Sequence, residues 1–272
     1  MPPSLTDGAV SAPPVLVLEQ VSRRFEGGLL ALHEVSLAVH EGEFVTIVGP
    51  SGCGKSTLLS LLTGLTVPDG GRVSSSLRQP GELGVVFQEP TLMPWASVAE
   101  NVALPLRLLR RPAREIGPRV ATALGEVELD GFAASLPAEL SGGMRMRVAV
   151  ARALVTQPRL LLMDEPFAAL DEMTRESMNE QLLAVWQRLG ITCVFVTHSL
   201  YEAAFLSTRV LVLSARPGQV VDELTVAERY PRTAEYRDSA RFAALRAELA
   251  QRLRAAERSP AGTRTARLQP TA

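Results

Sequence analysis

Two cysteines among 272 residues exclude a disulfide framework, and Cys53 and Cys193 suit a reducing compartment. Charge of one sign is also missing. The balance is 28 Lys and Arg against 29 Asp and Glu, a formal net charge of -1, so no global positive field recommends nucleic acid as a partner. Eighteen uninterrupted apolar residues occur nowhere, and the opening MPPSLTDGAVSAPP lacks the basic start and apolar centre of a secretory signal. These absences predict a soluble, cytoplasmic chain that reaches a membrane only through a partner. No internal repeat is visible. The length can bury a sizeable core, as one large domain or as two lobes.

Strand patterns run through the chain: VLVLEQV, EVSLAVH, EFVTIVG, LGVVF, RLLLMD, CVFVTH and RVLVLSA. Helical spacing separates the later ones, which predicts an α/β fold with a mostly parallel sheet. From about Pro90 to Leu154 no strong strand pattern appears, so that stretch reads as a largely helical insert. A last helix, DSARFAALRAELAQRLRAA, puts Phe242, Leu245, Leu249 and Leu253 on one stripe that would dock on the core. The start, residues 1–14, reads as flexible, and the tail from Ser259 as disordered.

The stretch IVGPSGCGKSTLL places Gly49, four residues, then Gly54-Lys55-Ser56 between an apolar strand and a helix beginning at Lys55. That spacing fits a phosphate-binding loop. Gly52 and Gly54 allow backbone angles that let successive N–H groups curl around phosphate oxygens at the positive end of the helix dipole. Lys55 offers a charge to the β- and γ-phosphates, and the Ser56 hydroxyl a ligand to Mg²⁺. Gly49, Ser51, Gly52, Cys53, Gly54, Lys55, Ser56 and Thr57 are the expected nucleotide contacts.

RLLLMDEP puts Asp164 and Glu165 at the end of an apolar strand, where ligands of open α/β sheets gather. Asp164 could hold Mg²⁺ and Glu165 could act as general base toward water, although two adjacent acids can also simply open a loop. LSGGMRMRVAVARAL opens a second helix at Ser141, whose hydroxyl and free N–H groups make a further anion site. Alone, that is an N-cap with a flexible turn. Two such starts in one chain fit pockets completed jointly with another copy.

GPSGCGKST, LSGGM, LLLMDEP, AALD and VTH, in this order and spacing, resemble the nucleotide-binding subunit of an ABC transporter over roughly residues 15–225. The resemblance implies the ABC ATPase fold: a P-loop NTPase core, an antiparallel β subdomain and a helical insert, with the last helix lying beyond it in a C-terminal helical extension at 226–258. It implies a head-to-tail homodimer that sandwiches ATP and Mg²⁺ between the phosphate loop of one copy and Ser141, Gly142 and Gly143 of the other. Phe25 matches the aromatic that stacks on adenine; otherwise it is a core residue at a strand end. Gln88 matches the glutamine at the Mg²⁺ and water site, His198 the switch histidine and Asp171 the loop that signals between copies.

Two residues depart from the family pattern. Met144 stands where a glutamine is usual and cannot offer an amide to ribose. Ser199 follows His198 where aspartate is common, which puts the local switch geometry in doubt. Leu92, Met93, Pro94 and Trp95 form an apolar cluster where the family meets its membrane subunits, or else the insert's own core. QEPTLMPW, LSGGMR and VLSARPG look similar to importer ATPases for nitrate, sulfonate and taurine. The implied partners are permease subunits and, indirectly, a periplasmic or extracellular binding protein, with the chain peripheral at the cytoplasmic face of the plasma membrane. Rivals are an exporter or lipid transporter, a non-hydrolytic nucleotide switch, or a nucleic-acid-acting ATPase drawing on ten Arg against five acids beyond residue 225.

Overall fold

A computed structural model describes residues 14–258; the expected flexible start, apart from Pro14, and the expected disordered tail lie outside the described residues. Strands β1 (Pro14–Arg24), β2 (Leu30–His40) and β4 (Gly70–Ser75) form an antiparallel sheet in the order β2-β1-β4. Strands β3 (Phe44–Val48), β5 (Leu83–Val86), β6 (Leu160–Asp164), β7 (Thr192–Val196), β8 (Arg209–Leu213) and β9 (Val220–Thr225) form a second sheet, β5-β6-β7-β3-β8-β9. It is parallel except for the β8–β9 pair.

The central strands read as apolar runs because both faces of this sheet are covered. Alternate residues feed two cores. Phe44, Leu161, Met163, Cys193, Phe195, Val210 and Val212 face one. Val45, Ile47, Leu160, Leu162, Val194, Val196, Leu211 and Leu213 face the other, with helix α1 (Lys55–Leu62) and the antiparallel sheet. On the first face Phe195 lies 5.9 Å from Phe44 and 5.7 Å from Phe167, ring to ring, so its removal should cost about 3–5 kcal/mol.

Six longer helices, α2 (Val98–Leu108), α3 (Ala113–Gly125), α4 (Gly142–Leu154), α5 (Glu172–Leu189), α6 (Leu200–Leu206) and, after the single turn α7 (Ala234–Arg237), α8 (Ala240–Arg258), contribute to the first core, with α2 and α3 packed against α4. In α8, Phe242 and Leu249 are buried and Leu245 and Leu253 half-buried, the stripe expected from the sequence. Three of the arginines around it are engaged within the chain. Arg252 pairs with Asp222 at 2.7 Å, Arg237 with Glu176 at 3.2 Å, and buried Arg232 donates to the carbonyls of Ala204 and Phe205. No helix among the described residues is long and apolar enough to cross a membrane.

Register positions the site. Ile47 and Asp164 both pair with Val196, so β3, β6 and β7 finish level and the segments that follow them emerge together.

Candidate functional site

The phosphate loop leaves β3 at Gly49 and turns into α1 at Gly54. Gly54 sits at φ 104°, and a Cβ there would lie 2.9 Å from the Ala31 carbonyl oxygen, so only glycine fits. No side chain caps α1 and no acid occupies its first turn, which leaves its leading N–H groups and dipole free for an anion. Lys55 is buried, and its Nζ donates to the carbonyls of Gly49 at 3.0 Å and Pro50 at 3.1 Å. Cys53 is buried beneath the loop, and desolvation raises its thiol pKa.

Glu165 follows β6 at φ 43°, a strained angle for a side-chain-bearing residue, held by its N–H donating to the Val196 carbonyl at 2.9 Å. Its carboxylate lies 3.8 Å from Lys55 Nζ and 2.8 Å from His198 Nδ1. The three strand ends thus assemble Lys55, Glu165 and His198 in a chain of contacts. Beside them, Thr197 donates to buried Glu202, whose pKa is raised mainly by burial. Ser199, after His198, caps the next helix: its hydroxyl accepts from the Glu202 N–H at 3.3 Å at the start of α6, and its own N–H donates to Thr197 Oγ1.

A cleft of about 410 Å³ is lined by Phe25, Leu29, Ala31, Ser51, Gly52, Gly54, Lys55, Ser56, Thr57, Gln88, Glu165 and Arg216. Phe25 is 44% exposed, so it is a cleft-wall residue and not a core one. Gly49 joins through Lys55 and His198 through Glu165. Ser141, Gly142, Gly143 and Asp171 do not line the cleft. They form a second group: Ser141 Oγ accepts from the Met144 N–H at 3.2 Å, capping α4, and Asp171 Oδ1 accepts from the Thr174 N–H at 3.0 Å, capping α5. Hydrogen bonding from the Thr174 side chain and from its N–H lowers the Asp171 pKa. A Cβ on Gly143 would meet Thr174 Cγ2 at 2.7 Å, so the two caps are packed together.

The segment after Gln88 is tied down by residues whose sequence context gave no signal. Buried Asn101 accepts from the Met93 N–H and donates to the carbonyls of Met93, Ala96 and Ser97. Arg152, on α4, donates to the carbonyls of Pro90 at 2.8 Å and Thr91 at 2.9 Å. Trp95 is 78% exposed, while Leu92 packs against the core, so the apolar cluster divides between solvent and interior.

The donor set suits Mg²⁺. Ser56, Gln88 and Asp164 offer hard oxygens, and Asp164 Oδ1 is buried without a hydrogen-bond partner. Burial raises the Asp164 pKa, opposed by a hydrogen bond with Ser56, and a divalent cation would reverse that. Among the described residues no group of three or more His, Cys, Asp or Glu could cage a metal. Few protein ligands fit an ion that completes its shell with phosphate and water.

A family model described as "ABC transporter" matches residues 32–168. The chain is 47% identical over 228 residues to the taurine import ATP-binding protein TauB of Rhizobium johnstonii, covering 80% of this chain and 87% of that one. Among solved structures, it resembles cbiO1 of Clostridium perfringens, part of the ABC transporter complex cbiONQ, with TM-score 0.71, 29% identity and coverage of 78% and 88%. It likewise resembles the dimeric ATP-binding cassette MJ0796 bound to ADP and Pi, with TM-score 0.68, 34% identity and coverage of 79% and 100%.

Proposed function

The chain belongs to the ABC transporter family, as an ATP-binding subunit with ATP hydrolase activity, and from that premise we propose that it powers import of a small solute of the nitrate, sulfonate or taurine kind through a separate permease. One observation carries the reading. The cleft is lined by Lys55, Ser56, Gln88 and Glu165, while the Ser141 helix start stands outside it in the same chain. Each copy therefore presents half of a site, and two copies paired head to tail complete both.

In that dimer, Lys55 exchanges the Gly49 and Pro50 carbonyls for the β- and γ-phosphates, and the open N–H groups of α1 bind the remaining oxygens. Phe25 stacks on the base. Ser56, Asp164 and Gln88 would hold Mg²⁺, which would supply positive charge against the phosphates. Glu165 accepts a proton from the attacking water, oriented by His198 at 2.8 Å. Ser141 and the N–H groups of Gly142 and Gly143 meet the phosphates of the other copy.

The stroke has a mechanical path. Gln88 lines the cleft, and the segment following it is latched to α2 by Asn101 and to α4 by Arg152. Beside it, a groove of about 410 Å³ lined by Phe87, Thr91, Leu104, Leu108 and Leu109 offers an apolar seat for the permease. A periplasmic or extracellular binding protein would act on that permease, and the chain would sit at the cytoplasmic face of the membrane.

Glu165→Gln should lower turnover roughly 10²-fold or more while preserving ATP-dependent dimerisation, the scale of a lost general base. Near-normal turnover would refute the role. The trapped variant, purified from detergent-solubilised membranes with MgATP, should bring a multi-span permease with it. Recovery of RNA or soluble partners alone would overturn the transporter reading.

A further inference from the structure

The turn between β8 and β9 touches the phosphate loop at two successive peptides. Arg216 Nε and Nη2 donate to the Gly52 carbonyl at 3.1 and 2.9 Å. The N–H of the same peptide, on Cys53, donates to the Pro50 carbonyl at 3.3 Å, so that peptide plane is held at both ends. The next carbonyl, on Cys53, abuts Gly218 so closely that a Cβ on Gly218 would lie 2.2 Å from it. A trans peptide points its N–H opposite its carbonyl, so fixing the Cys53 carbonyl also fixes the direction of the Gly54 N–H.

The turn is itself anchored. Gly218 donates to the Ala31 carbonyl at 2.8 Å and accepts from the His33 N–H at 3.0 Å, joining it to the cleft wall that carries Leu29 and Ala31. Ser214 Oγ accepts from the Gln219 N–H at 3.1 Å and lies 3.0 Å from the carbonyl oxygens of Ala215 and Pro217. Among the residues lining the cleft, Lys55 and Arg216 are the cations.

We infer that the Ser214–Gly218 turn braces the phosphate loop in its anion-accepting shape, with Arg216 as a positioning residue for nucleotide binding. The inference rests on the nucleotide reading of the cleft. Arg216 acts through the Gly52 carbonyl and Gly218 by close backbone approach, and the two converge on the orientation of the same N–H groups.

Steady-state kinetics and thermal unfolding of the full chain test it. Arg216→Ala should raise KM for ATP about tenfold, the scale of one lost charge-assisted hydrogen bond, leave kcat within about twofold, and leave the unliganded unfolding midpoint unchanged. Arg216→Lys, which keeps the charge but not the fork of donors, should recover only part of that loss. Gly218→Ala should raise KM comparably with every charge retained. A normal KM in Arg216→Ala, full recovery in Arg216→Lys, or a folded Gly218→Ala with normal KM would overturn the brace. Loss of unliganded stability without a change in KM would make Arg216 a structural residue only and overturn it as well. If MgATP fails to raise the midpoint of the wild-type chain, the nucleotide reading itself falls, an outcome distinct from all of these.

Discussion

The helix starts at Gly54 and Ser141 both answer to the same electrostatics, yet they are built differently. Helices α2, α3, α5 and α6 each carry a glutamate in the first turn; α1 and α4, like α8, carry none, so no acid of their own first turn opposes an outside anion at α1 or α4. At α1 the cap is a left-handed glycine with no side-chain hydrogen bond, a buried lysine stands first in the helix, and a cleft encloses the start. At α4 the cap is an extended serine whose hydroxyl already satisfies the Met144 N–H, and Ser141 and Gly142 are exposed. On the proposed reading, the first start receives its anion unaided. The second, already capped within its own chain, meets an anion only when another copy brings one.

The largest test of that difference is Lys55→Ala. It should weaken MgATP binding by roughly 10²-fold, the scale of truncating one member of a desolvated charge pair. Because Lys55 is the sequence's only lysine, an amine-directed acylating reagent offers a direct check: MgATP should protect that side chain. Unchanged affinity, or labelling indifferent to nucleotide, would remove α1 from its role.

Ser141→Ala should have a smaller and different effect. Turnover should fall about tenfold, while affinity of the isolated subunit for MgATP stays within about twofold, because the lost contact belongs to the paired state. Loss of the cap should also cost about 1 kcal/mol and lower the unfolding midpoint by about 2–4 °C. Ser141→Thr should restore the midpoint. If Ser141→Ala weakened MgATP binding as much as Lys55→Ala does, the two starts would be serving one pocket and the contrast would fail.

The same contrast explains what could be read without coordinates. The phosphate loop, Asp164 and Glu165 were legible because their chemistry depends on a strand end and the few residues after it. His198 and Gln88 were expected by resemblance; they follow β7 and β5, which flank β6 and pair with its end at Asp164 and Met163. Strands β4 and β9 escaped notice, since GGRVSS and VVDELT are edge strands with little apolar alternation and take their register from distant partners. Arg216 lies in the VLSARPG segment, but its contact with the phosphate loop gave no signal there, because its partner is 164 residues away. Asn101 looks like any polar residue on a helix until the Met93–Ser97 backbone folds over its amide.

The smallest test concerns Met144, where the usual amide is absent. Its N–H is engaged by Ser141, and its half-buried side chain packs against the core that carries α4. The start of α4 should therefore act through the Ser141 hydroxyl and backbone N–H groups, with the thioether serving as packing. Met144→Gln trades a little apolar burial for an amide, so the midpoint should fall by no more than about 2 °C and turnover should change by less than about threefold. A rise in turnover of tenfold or more would show that the missing amide limits this half-site. A sharp loss of turnover would show instead that the thioether itself helps to set the α4 start.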